Sequence, residues 1–218
     1  VEIKMKFSLK LLDSESSIRK QILEAMKNTL ESAIKKSQPA IIASAKELIA
    51  AALKAEPEYS ALTTGQLRYD FGIPDPSQVD LVIQSLVDTV NISSKAITVT
   101  NFGLSGGFVL TMMKSDDMNG VIDLDAAVVV DDTRGYRLPW LKWLLYEGGN
   151  PIVKNYEVKL GPNKASRTGF AIMIGSSSSW RVPAEFSGTI TNNWTTRAID
   201  RTETEINRII QKEIENYL

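Results

Sequence analysis

The 218-residue chain contains no cysteine and no histidine. Without cysteine there is no disulfide framework and no thiolate metal site. Without histidine, histidine-based triads, imidazole metal ligands and imidazole pH switches are excluded. The usual general base is missing too, which lowers the expectation of catalysis. No catalytic, cofactor-binding or metal-binding residue is assigned from the sequence. No apolar run approaches the ~18 residues that a membrane helix needs. The opening stretch Val1-Glu2-Ile3-Lys4-Met5-Lys6-Phe7 alternates and does not form the apolar core of a signal peptide. The expectation is a product with no membrane association, soluble when made in the cytoplasm. An excess of one charge is also lacking. Lys and Arg total 25 against 26 Asp and Glu, for a net charge of −1. General nucleic-acid binders draw their affinity from a basic excess, so that class is disfavoured.

What is present is ordinary for a folded protein: 43% hydrophobic and 23% charged residues, enough for one sizeable core. The reading is a single α+β domain over residues 1–218, with an N-terminal arm (1–12) and a helical region (13–91). Period two in Ile3, Met5, Phe7 and Leu9 suggests a sheet strand or an extended arm that reaches a neighbouring subunit. Asp13 or Ser14 can cap a helix carrying Ile18, Ile22, Met26, Leu30, Ala33 and Ile34. Pro39 either opens a second helix, carrying Ile42, Ala45, Leu48, Ile49 and Leu53, or kinks one long helix. Asp75-Pro76-Ser77 starts another, with a stripe of Val79, Val82, Ile83, Leu86, Val87 and Val90.

The period then changes. Ile97 to Asn101 and Phe108 to Met112 read as paired strands across a Gly/Ser loop, Gly103 to Gly107. Val121 to Asp125 and Ala127 to Val130 are further strand candidates. Val153 to Leu160 and Thr168 to Ile174 flank the turn Gly161-Pro162-Asn163, and Ser176 to Ser179 reads as a serine loop. A helix from Asn192 or Asn193 carries Ile199, Ile206, Ile209, Ile210 and Ile214. The fold expected is long N-terminal helices, a central antiparallel β-sheet, and an amphipathic C-terminal helix packed on the sheet.

Several constellations fail on their chemistry. Ser115 to Ala126 resembles part of a calcium loop, but Ala126 stands where a bidentate glutamate belongs. Gly103-Leu104-Ser105-Gly106-Gly107 resembles a nucleophile elbow without a base to activate its serine. Acid pairs for glycoside cleavage can be drawn from Asp123, Asp125, Asp131, Asp132, Glu147 and Glu185, as from almost any chain of this size. All four tryptophans, Trp140, Trp143, Trp180 and Trp194, lie in the second half beside a run of arginines. Aromatics with arginine suit a subunit or partner interface, and core tryptophans flanked by solvated arginines give the same pattern. The candidate interface comprises Trp140, Trp143, Tyr146, Trp180, Arg181, Trp194 and Arg197.

Three short motifs occur in order: Thr64-Gly65-Gln66-Leu67-Arg68, Trp143-Leu144-Leu145-Tyr146-Glu147-Gly148-Gly149, and Trp194-Thr195-Thr196-Arg197-Ala198-Ile199-Asp200. In these, and in the long helical region before them, the chain resembles the tail-completion, or neck, proteins of long-tailed bacteriophages. The resemblance runs from about Ser14 to Leu218. This chain adds a helix near Pro76 to Val90 and has Asn193-Trp194 where the family pattern has Pro-Phe. Tail completion, tail terminator and head–tail adaptor therefore stay open as roles. The resemblance implies a virion structural protein that is not an enzyme and uses no cofactor. Copies would form a sixfold or twelvefold ring around the DNA channel, touching other neck, portal or adaptor and tail proteins. DNA would pass through the lumen without specific binding. The alternatives are a virion-associated carboxylate-dependent hydrolase and a monomeric binding module.

Overall fold

The structure is a computed structural model, and it describes residues 13–100, 102–112, 120–131 and 135–218. The expected arm at 1–12 and the first part of the calcium-like stretch, 115–119, lie outside the described residues, as do Asp132 and Arg134. The fold is α+β, with a long N-terminal helix, antiparallel strands and a C-terminal helix packed across α1 and the strands.

Helix α1 runs unbroken over Glu15–Ala55. Ser14 caps it, its hydroxyl accepting from the Ser17 amide at 3.2 Å. Of the two readings of Pro39, the single helix is the one observed. Proline removes the bond to the Lys35 carbonyl, and both residues lie on an exposed face where water can take that carbonyl. The buried side chains of α1 begin at Ala33 and continue through Ile34, Ser37, Ile41, Ala45, Ile49 and Leu53. The first half of the helix, up to Ser32, buries none.

Pro57 ends α1 and opens α2, Pro57–Thr63, where its missing N–H costs nothing. Helix α3, Gln66–Phe71, stops at Gly72, whose φ of 71° is the left-handed cap that glycine tolerates best. Asp75 accepts from the Ser77 amide at 2.9 Å ahead of α4, Ser77–Asp88, which buries the stripe read from the sequence. Hydrogen bonding from the Ser77 side chain, and then from its amide, holds the exposed Asp75 carboxyl below its ordinary pKa.

The strands form three separate two-stranded antiparallel ribbons: β1–β2, β3–β4 and β5–β6. Ribbon β1 (Asn91–Thr100) with β2 (Gly103–Thr111) is longer than expected. Gly103 to Gly107 belong to β2 and not to a connecting loop. The expected strand at Val121 to Asp125 is instead helical turn, continuing into a 3-10 turn at Asp125–Ala127. Strands β3 (Val129–Asp131) and β4 (Tyr136–Leu138) make a three-residue pairing. The serine loop is also corrected: Ser176 to Ser179 lie within β6, Ala171–Trp180, which pairs with β5, Val153–Leu160. The register shifts there, and Asn155 takes a φ of 61°, a conformation asparagine accepts more readily than most residues. Ser176 Oγ donates to Glu157 Oε2 at 3.0 Å, tying the bulge across the ribbon.

Trp140–Lys142 begins a short helix, α5, which widens into a π-turn over Trp143–Glu147. The last helix, α6, spans Trp194–Glu215 behind an Asn193 capping box with Thr196. One large core joins the C-terminal half of α1, α2 to α5 and the start of α6. A smaller cluster of Ile41, Ala45 and Ile92, with Phe108, Leu110, Ile210 and Ile214 against it, extends the packing along α1.

Candidate functional site

The second and third motifs meet near the junction where α1 ends and α6 begins, and the first packs beside α2. Gly65 lies so close to α2 that a Cβ there would sit 2.9 Å from the Ala61 Cα. Leu67 is fully buried, and Arg68 donates from Nε to the Ile73 carbonyl (3.3 Å) and from Nη2 to that of Pro74 (3.1 Å). From the second motif, Leu144 and Leu145 enter the core, and the Leu144 carbonyl accepts from the Gly188 amide at 3.1 Å. From the third, Trp194 sends its indole N–H to the Leu53 carbonyl at 2.9 Å.

Of the seven candidate interface residues, Trp140, Trp180 and Trp194 are buried. Trp140 Nε1 donates to the Ala126 carbonyl at 3.0 Å, and Phe71 packs tilted on Trp140 and edge-on to Trp180. Indoles with apolar neighbours on every side bury the most area when they fill a core, so these three hold the subunit's own interior together. Trp140 and Trp194 leave no side-chain surface for a neighbour, and Trp180 keeps only a narrow edge. Trp143 and Tyr146 are half-buried against that core, and burial pushes the Tyr146 phenol above its ordinary pKa. Arg181 is exposed.

Arg197 has a different role from the one its composition suggested. It reaches inward to Glu58, and its Nε lies 3.8 Å from Glu56 Oε2. Arg201 Nη1 lies 2.8 Å from Glu56 Oε1. Both carboxyl groups are essentially inaccessible, whereas the arginines keep an exposed side. Desolvation raises the pKa of Glu58; its own backbone N–H and Arg197 pull the other way, and Glu56 adds a smaller upward push. Two acids in adjoining turns thus clamp the first turns of α6 to the start of α2. Sequence reasoning passed over both glutamates, because nothing in a Glu-Pro-Glu run signals burial.

A second polar feature is a groove of about 630 Å³ between α3, β3 and ribbon β5–β6, lined by Tyr69, Asp70, Asp131, Arg167, Met173 and Trp180 among others. Arg167 Nη1 donates to the Val130 carbonyl at 3.0 Å and closes one side. Burial pushes the Asp70 carboxyl up to about 6; a hydrogen bond with Gln66 opposes this and the charge of Glu185 adds to it. The Trp180 indole N–H meets no acceptor among the described residues. Asp131 and Glu185 were among the acids singled out from the sequence, but Asp70 was not. Its signal is only the Tyr69-Asp70-Phe71 context, an acid between two aromatics. Glu147 is paired with Lys142 at 2.9 Å. Among the described residues no group of three or more acids could hold a metal ion. No described helix is long and apolar enough to cross a membrane.

Compared with protein-family models, with curated proteins and with solved structures, the chain matches none.

Proposed function

We propose that this chain is a structural subunit of a bacteriophage neck, one copy of a ring that joins head to tail around the DNA channel. The observation that carries the reading is the shape of α1. Its last 23 residues, from Ala33 to Ala55, bind the body, while Glu15 to Ser32 extend from it with no buried side chain. Ile22 and Met26 on that segment are each 54% exposed. An apolar-striped helix held out from a folded body suits a protein whose partners complete it. The third motif supports the same reading, because Trp194 ties the start of α6 to Leu53 and so anchors the covered end of that helix. The near-balanced charge suits a channel wall past which DNA slides. Tail completion, tail termination and head closure are alternative positions for such a ring.

The test is a complementation assay. Cells carrying the parent genome with this reading frame interrupted should yield filled heads and separate tails. Adding the purified chain to that extract should restore joined particles. Complete particles formed without the chain would contradict the proposal.

A hydrolase is the second reading, and Asp70 is the observation that favours it: a carboxyl with a pKa of about 6 beside a groove can serve as a general acid. Turnover of a glycan or peptidoglycan substrate, abolished in Asp70→Asn, would support it over the neck role.

A further inference from the structure

On α6 and ribbon β1–β2 lies an apolar groove of about 230 Å³. Ile92, Phe108, Leu110, Ile206 and Ile210 form its floor, and the acids Asp200 and Glu203 stand on the α6 side. The exposed half of α1 carries a stripe of Ile18, Ile22, Met26 and Leu30 at four-residue spacing. That stripe continues the row Ala33, Ile34, Ser37, Ile41, Ala45 that packs inside the subunit, so one helix face passes from covered to uncovered.

We infer that the projecting half of α1 lies in the α6/β1–β2 groove of a second copy of this chain. The inference rests on the ring reading and specifies its interface. Three observations fix the occupant. The lengths agree: the groove spans Ile199 to Ile210 on α6 and the stripe spans Ile18 to Leu30, each about 17 Å at 1.5 Å per residue. The charges are complementary. Between Ile18 and Leu30 the helix carries Arg19, Lys20 and Lys27 against the single acid Glu24, facing the groove's Asp200 and Glu203. The segment also cannot serve its own groove, because α1 is continuous and its covered half already occupies the other side of α6. A knob on one copy and a hole on the next make a heterologous contact, which closes into a ring or propagates as a fibre. It is a helix-in-groove contact with anchors one turn apart. In a closed ring each copy is held by two such contacts, which makes the assembly more durable than a single pair.

The lack of cysteine makes the test clean. Single variants Met26→Cys and Asn207→Cys change exposed side chains, and Asn207 lines the groove. The full-length proteins are mixed, oxidised and run without reductant, with light scattering on the same samples. A mixed disulfide dimer should form only when both variants are present. It should be lost with Tyr156→Cys in place of Asn207→Cys, and lost again when the groove protein also carries Asp200→Lys and Glu203→Lys. Adding Arg19→Glu and Lys27→Glu to the helix protein should then restore it. A disulfide between two Met26→Cys copies would overturn the inference, since two stripes would then be paired. So would protection of Met26→Cys from alkylation in a monomer, which would make residues 1–12 of the same chain the cover. Oligomers without the mixed disulfide would refute this interface and leave the ring reading standing. Strict monomers, with or without head and tail extract, would end both.

Discussion

Trp194 Nε1 donates a 2.9 Å hydrogen bond to the carbonyl of Leu53, across 141 positions of sequence. In a continuing α-helix that carbonyl would accept from the N–H of residue 57. Residue 57 is proline and has none. The indole supplies the donor that the chain lacks at the end of α1, and in doing so fixes the start of α6 against it. Trp194→Phe keeps most of the buried ring and leaves the carbonyl without a donor. The expected loss is about 1–3 kcal/mol of unfolding free energy, read from urea denaturation. No change in midpoint would mean that the bond contributes nothing to stability.

Arg197 neutralises a carboxyl that has no access to water. Arg197→Met should cost about 3–5 kcal/mol, because Glu58 is left charged in the interior. The pair Arg197→Met with Glu58→Gln should recover much of that loss, since the uncompensated charge is gone. Acidification should also narrow the gap between Arg197→Met and the parent. The Glu58 pKa is already raised in the folded chain, and removing the guanidinium raises it further, so protonation relieves the variant first. A gap independent of pH would refute this account of the cluster.

Asp70 gives a pH dependence of definite sign. Its folded pKa, about 6, lies above its ordinary value of 3.8. The two states bind this proton equally below about pH 4. Between about pH 4 and 6 the unfolded chain releases it while the folded chain holds it, so stability from this group falls as pH rises. Asp70→Asn should therefore match the parent near pH 4 and exceed it above pH 7, by at most about 2–3 kcal/mol. Thermal unfolding at the two pH values checks it; an advantage confined to low pH would reverse the assignment.

Gly188 lies where the π-turn approaches the α6 cap. A Cβ there would sit 2.4 Å from the Leu144 oxygen and 2.8 Å from the Asn193 Cβ. Gly188→Ala should cost about 1–3 kcal/mol through backbone displacement. Gly149→Ala, where nothing lies within 4 Å, should stay within about 0.5 kcal/mol. Equal effects at both positions would mean that the close approach is absent.

Legibility in the sequence followed the range of the forces involved. The α4 stripe, the Ser14 and Asn193 caps and the C-terminal helix depend on neighbours within a few residues, and their patterns predicted them. The sequence left the continuity of α1 through Pro39 open between two readings, because it depends on which face of the helix meets water. Three ribbons replaced one central sheet because strand partners are chosen over long separations, and the alternation of Ile97 or Val153 does not name the partner. The tryptophans marked the densest region correctly but not its direction, since core and interface use the same side chains. Glu58 and Asp70 were missed for one reason: each has its properties from burial by elements distant in sequence.

The central claim is a location, so the most direct measurement is imaging of mature particles from the parent genome with gold-labelled antibody against this chain. The account predicts label at one site per particle, between head and tail. Particles joined and infectious but carrying no label, with the chain absent from their protein content, would contradict it.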